Sequence, residues 1–250
     1  MKKIFVLIFI ALISCDLPQD PGPMPTEIIQ SEYIPGLNIF GVLRNDGIPG
    51  TSFFRVERSW ETEEATMEFV VTVENATITI ASDSSAWDFT FTIDSLHGEI
   101  YANPDFSPDK QVQYQLIANA PGLPELTGEV TVPAIPMVDT SSILIENNVF
   151  QVSIAGQAEI EMYDIVVISD YNSITQRYLS NGDTLIAEVN LSNLIGEPVG
   201  LAIYAYETNL TQYQTSTMTI KPQTYHEAVN TVMGGYGCFG AVSVFTLPIN

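Results

Sequence analysis

Glu74-Asn75-Ala76-Thr77-Ile78-Thr79-Ile80-Ala81-Ser82-Asp83-Ser84-Ser85 is the stretch whose pattern decides the fold class. Apolar residues at 76, 78 and 80 alternate with threonines at 77 and 79. Successive side chains on a strand point to opposite faces, so this string gives one face to a core and the other to solvent. Ile and Thr suit pleated backbone. Glu74-Asn75 before the run and Asp83-Ser84-Ser85 after it supply turn chemistry.

The same pattern recurs on both sides. In the first half it predicts strands at Asn38–Leu43, Ser52–Arg58, Met67–Val73, Ala76–Ser82, Asp88–Ile93, Gly98–Tyr101, Val112–Ala118 and Thr127–Val132. In the second half it predicts Ile143–Ile145, Val149–Ala155, Met162–Ser169, Ser173–Tyr178, Thr184–Val189, Gly200–Glu207 and Thr215–Ile220. Strands at roughly 8–12-residue spacing, divided by turn residues, predict a β-sandwich. Pro133-Ala134-Ile135-Pro136 divides the two sets, because two prolines cannot donate to a ladder. The expected fold is therefore all-β: two β-sandwich domains of immunoglobulin- or fibronectin-like type in tandem, residues 36–135 and 136–250. The two halves show no clear similarity to each other. Asn209–Met218 leaves a short helix open, although its threonines favour strand. The tail Met233-Gly234-Gly235-Tyr236-Gly237-Cys238-Phe239-Gly240-Ala241 is dense in glycine, which permits positive φ or close backbone approach. A last apolar strand follows it.

The amino terminus reads as an export signal. Lys2 and Lys3 precede an apolar run from Ile4 to Ile13. A run of about ten residues suits a signal peptide and falls short of the roughly 20 needed to cross a bilayer. Leu12-Ile13-Ser14-Cys15 then matches the pattern of a bacterial lipobox. Residues 1–14 are read as a lipoprotein signal peptide and Cys15 as the lipidated residue. Two acyl chains give stable anchoring where one would be marginal. In residues 15–35, Cys15 is followed by Asp16-Leu17-Pro18-Gln19-Asp20-Pro21-Gly22-Pro23, a composition expected of an extended, flexible tether.

Charge limits the partners. The chain holds 8 Lys plus Arg against 30 Asp plus Glu, a net charge of −22. Such a chain is repelled by nucleic acid and by anionic headgroups. With Cys15 taken by lipid, Cys238 has no intramolecular partner, so stability must come from apolar cores. Cys238 itself, among glycines and Phe239, reads as a small buried residue.

Chemistry-bearing constellations are sparse. Zinc needs about three His, Cys or carboxylate ligands in one place, whereas His97 and His226 lie far apart in sequence. No Gly-x-Ser-x-Gly elbow is present. Glu61, Glu63 and Glu64 read as a charged solvent-facing turn rather than a glycosidase pair. Asn103, Asp105 and Asp109, or Asp83, Ser85 and Asp88, supply oxygens that calcium takes, but neither matches an EF-hand loop and Asx turns explain both. A sandwich that binds sugar or peptide uses exposed aromatics. The aromatics include Tyr101, Tyr171, Tyr204, Tyr206, Tyr213 and Tyr236. Trp60 and Trp87 border polar runs and are the candidate ligand-binding pair.

The tail Gly234-Gly235-Tyr236-Gly237-Cys238-Phe239-Gly240-Ala241 resembles the GGxGxFGA ending of a family of Bacteroidota-type outer-membrane lipoproteins of unassigned activity. Gly41-Val42-Leu43, Phe54-Arg55-Val56-Glu57-Arg58, Val73–Ile80, Tyr114-Gln115-Leu116-Ile117-Ala118 and Pro121-Gly122 resemble its other motifs in the same order. Cys238 departs from the aliphatic residue usual there, and this chain is shorter than most members. The resemblance implies a two-domain, β-rich lipoprotein, often encoded beside TonB-dependent receptors. It supplies no catalytic residues. The expectation is a surface lipoprotein of the outer membrane, not an enzyme, with no cofactor beyond lipid on Cys15. Its expected role is accessory or binding subunit of a TonB-dependent β-barrel transporter, or else a stand-alone carbohydrate- or peptide-binding lipoprotein.

Overall fold

Strand β3 (Thr77–Ala81) forms on the stretch that decided the fold class, and its alternation does what the pattern requires. Ile78 and Ile80 are buried, and Thr77 faces water. The structure is a computed structural model that describes residues 34–60, 71–216 and 230–249. Cys15 and the tether as far as residue 33, Glu61, Glu63, Glu64 and His226 lie outside them. The other strands are β1 (Leu37–Asn45), β2 (Phe53–Arg58), β4 (Ala86–Asp94), β5 (Gly98–Ala102), β6 (Gln113–Asn119), β7 (Leu126–Thr131), β8 (Val138–Glu146) and β9 (Val149–Ile154). The set continues with β10 (Met162–Ile168), β11 (Ser173–Leu179), β12 (Leu185–Asn190), β13 (Gly200–Tyr206), β14 (Val232–Met233) and β15 (Tyr236–Pro248). One helix, α1 (Thr208–Thr215), completes the described elements. No helix among the described residues is long and apolar enough to cross a membrane.

The protein is all-β and built as sandwiches. A twelve-stranded sheet runs β11-β10-β13-β15-β1-β2-β5-β4-β3-β6-β7-β14, and a three-stranded sheet runs β12-β9-β8. The long sheet turns over at β4, whose first half pairs with β3 and second half with β5. The two resulting layers enclose a first core that includes Ile39, Phe54, Ile80, Leu116, Leu126 and Phe239. The small sheet lies over the other end of the long one and encloses a second core, with Phe150, Val152, Ile165, Val167, Val189 and Ile203. Tyr178 staples the two layers there: its hydroxyl donates to the Glu188 carbonyl and accepts from the Glu188 N–H.

Strand β15 serves both cores. It pairs in parallel with β1 over Tyr236–Ser243 and antiparallel with β13 over Val242–Pro248. Phe239 and Ala241 enter the first core, and Phe245 and Leu247 pack on the second. Ser243 sits where the strand passes from one to the other. It is wholly buried and donates a hydrogen bond to the Pro133 carbonyl at 2.5 Å. Pro133–Pro136 is strand-free, as its prolines predict. Val232 and Phe239, from the far side of that segment, thus complete the core built from residues before it.

Two expectations change. Thr215 ends a helix and does not begin a strand, because the carboxylate of Glu207 caps that helix and overrides threonine's strand propensity; residues 217–220 of the expected strand lie outside the described residues. Of Met67–Val73, residues 67–70 lie outside the described residues, and the remainder runs beside β2, with Thr72 bridging Glu57, the Val71 carbonyl accepting from the Arg58 N–H and the Val73 N–H donating to the Val56 carbonyl. Strand β8 begins at Val138, five residues earlier than the pattern at Ile143 suggests. Its register shifts between Asp139 and Leu144, and such an irregularity breaks the alternation.

Candidate functional site

Opposite the two cores, the long sheet has an outer face, and helix α1 lies on it. Leu210 of the helix packs with Val42, Cys238 and Val242 of the sheet. Glu207 holds the helix down. Its carboxylate accepts the N–H of Asn209 at 2.6 Å, of Leu210 at 2.8 Å and of Ala241, on β15, at 3.0 Å. One side chain therefore satisfies donors on both the helix and the strand beneath it. Gly240 makes the approach possible: a Cβ there would stand 2.7 Å from the Leu210 Cβ and 2.8 Å from Glu207 Oε1. Glu207 is 8% exposed. Burial pushes its pKa up to about 7, although the three N–H donors pull the other way. Cys238 is buried as its neighbours predict, and burial pushes its thiol up to about 12. A thiol so raised is a packing element, since thiolate is the reactive form.

At the other end of α1 lies an ion-pair cluster. Asp164 on β10 faces Arg177 on β11, its register partner. Arg177 Nε and Nη2 donate to the two Asp164 carboxylate oxygens, each at 2.8 Å, a two-pronged geometry. The Tyr206 hydroxyl donates to Asp164 Oδ2 at 3.1 Å. Its pKa is driven well above the usual phenol range by burial and then by the Asp164 charge. Arg177 Nη1 also reaches the Gln214 carbonyl at 3.4 Å. A cation there suits the negative end of the helix. Nearby, Arg44 pairs with Asp46 at 2.6 Å and lies 5.6 Å from the centre of the Tyr204 ring.

Between α1 and the β4–β5 hairpin runs a row of aromatic rings. Tyr213 of the helix is 5.1 Å from Phe40, Phe40 is 6.3 Å from Phe53, and Phe53 stacks on His97 at 4.4 Å with planes 15° apart. Arg55 runs alongside and donates to the His97 carbonyl at 3.1 Å. All four rings are half-buried. Flat rings flanked by hydrogen-bonding side chains are the equipment that stacks on a sugar face or grips an extended peptide.

The residues singled out in sequence fall elsewhere. Trp87 is half-buried against the first core, with its ring 5.1 Å from Phe106 and 6.0 Å from Tyr114. Trp60 follows β2 and is exposed. The aromatic row contains neither tryptophan. Asn103 accepts from the Asp105 N–H at 3.0 Å, which is an Asx turn, and Asp109 donates its N–H to the Tyr114 hydroxyl. Asp88 accepts from Thr79 across the β3–β4 pair, and Asp83 stands in the turn between those strands. Among the described residues no group of three or more His, Cys, Asp or Glu side chains is placed to hold a metal ion. Phe40 and Phe53 were not picked out, although Phe40-Gly41-Val42-Leu43 is apolar on both strand faces, the mark of a strand covered on both sides.

No protein-family model matches this sequence, and no curated protein matches it. Among solved structures, one concerned with host cell surface retention of a 1.5-MDa bacterial ice-binding adhesin is similar at 12% identity and a TM-score of 0.24. The likeness covers 88% of this chain and 65% of that one.

Proposed function

We propose that this chain is a lipid-anchored protein of the outer-membrane surface that acts by binding, as an accessory subunit of a TonB-dependent transporter. The Leu12-Ile13-Ser14-Cys15 lipobox carries the proposal: behind Lys2-Lys3 and a ten-residue apolar run, it attaches a β-sandwich body to a membrane through a proline-rich tether. The transporter partner rests on the sequence resemblance. The test is a mild-detergent pull-down of the tagged full chain from its own membranes, read by mass spectrometry. A β-barrel recovered in near-equal amount is expected. Recovery of no barrel under any condition overturns the transporter role. Separately, Cys15→Ser is expected to move the protein from the membrane to the soluble fraction, and a Cys15→Ser chain that stays in the membrane overturns the anchor.

A second reading, a stand-alone carbohydrate- or peptide-binding lipoprotein, is favoured by the Tyr213–Phe40–Phe53–His97 row. Glycan and peptide arrays test it. Binding is expected to weaken about tenfold in Phe53→Ala, the loss of one stacking ring, and to persist in Trp87→Ala if the fold holds. An array without signal removes this reading.

A further inference from the structure

We infer that the pole of the protein at the opposite end of β15 from the point where the tether enters is a docking site for another protein, one with an apolar centre and a basic rim; this rests on the anchored reading above. Strand β15 gives the axis. Its first residue, Tyr236, pairs with Asn38 near the start of β1, and the Tyr236 hydroxyl donates to the Ile34 carbonyl. The chain therefore enters at that end. The last residue of β15, Pro248, pairs with Gly200, which in turn pairs with Ile168. Thirteen residues separate the poles by about 40 Å at ~3.3 Å per residue.

At the Pro248 pole four apolar side chains stand open: Tyr171 is 77% exposed, Ile195 61%, Val199 39% and Ile168 36%. Ile168 ends β10, and the other three sit on two loops tied together. The Asn172 side chain donates to the Asn193 carbonyl at 2.9 Å and accepts from the Ile195 N–H at 2.9 Å. Ser169 Oγ donates to the Asn172 carbonyl at 3.0 Å and accepts from the Tyr171 and Asn172 N–H groups. A Cβ added to Gly196 would meet the Tyr171 ring at 3.3 Å, so the ring lies against that glycine. The apolar groups are thus displayed in a set geometry, and a partner need not spend binding energy on ordering them. An open aromatic among aliphatics is the composition of an interface centre.

Charge selects the occupant. The only charged residues in the stretches 165–174 and 191–200 are Asp170 and Glu197, both acidic and exposed. In a chain of net charge −22, they repel a second copy of the same pole and an anionic bilayer alike. A Lys- or Arg-rimmed protein surface complements them.

The test uses the full chain in its own membranes, with a photo-crosslinking amino acid in place of Tyr171 and, as control, in place of Ile93 on the β4–β5 hairpin. One polypeptide should crosslink at 171 and not at 93, and its attached peptide should carry Lys or Arg beside an apolar residue. Ile195→Ser should cut the yield about tenfold, as expected for a residue at an interface centre. Asp170→Lys with Glu197→Lys should reduce it further, and so should added salt. These residues are exposed, so an unchanged urea midpoint confirms that the fold is intact. A yield indifferent to Ile195→Ser, a crosslink only to lipid or to a second copy, or no crosslink at all overturns the docking site. A specific partner that is not a β-barrel leaves the docking site standing and removes the transporter role, so the two ideas fail separately.

Discussion

Gly237→Ala is expected to lower stability by about 3–5 kcal/mol, read as a fall in the urea midpoint without a change in slope. Two costs add. Gly237 has φ +113°, a region that residues with a Cβ rarely occupy. A Cβ there would also overlap the Ile39 carbonyl oxygen on the neighbouring strand. Ile39 cannot retreat: it pairs with Gly237 on one side and Val56 on the other, and its side chain is buried in the first core. The Gly237 carbonyl also accepts from the Thr231 N–H, so strand and loop would move together. Gly122→Ala separates the two costs. Its φ is +80° and nothing lies near its missing Cβ, so only the backbone strain of about 1 kcal/mol remains. A Gly237→Ala loss no larger than that of Gly122→Ala would mean that the two strands can part freely, and that β15 does not lock the two cores.

Alternation made the sandwich class readable, because it names which side chains are buried without needing to know against what. For the same reason it could not reveal that β15 lies beside β1. Their pairing joins residues some 200 positions apart, and a strand's faces do not name its neighbours. The helix was hidden for a different reason. Glutamate is not a usual N-cap residue, and Glu207 is recruited as one partly by Ala241, which lies beside it only in the folded chain. Trp87 borders polar residues, yet Trp87-Asp88-Phe89-Thr90-Phe91 places it on the strand face of two phenylalanines, and it packs half-buried against the first core. The aromatic row needed both the β1–β2 pairing and the helix, so only its members, not their assembly, could be seen beforehand.

Glu207→Gln is expected to remove a component of the stability profile that spans about 3 kcal/mol between pH 4.5 and 7, the scale of a pKa raised from 4.5 to about 7. Burial raises the carboxyl's pKa in the folded protein, so the folded state holds its proton where the unfolded chain has released it. The folded state then binds more protons throughout that window. Stability from this site is therefore complete below pH 4.5, falls as pH rises, and levels off above about 7. This is opposite in sign to the usual surface carboxylate, which stabilises as it ionises. Glutamine cannot titrate, so the variant lacks that slope, and the remaining acids contribute to both curves alike. Urea midpoints measured from pH 4.5 to 8 for the two proteins, and their difference, isolate the Glu207 contribution. A difference that changes with pH shows that desolvation dominates and that helix α1 is held more loosely as the site ionises. Parallel curves would show instead that the N–H groups of Asn209, Leu210 and Ala241 offset burial, leaving a charged cap that clamps the helix to β15 across the whole range.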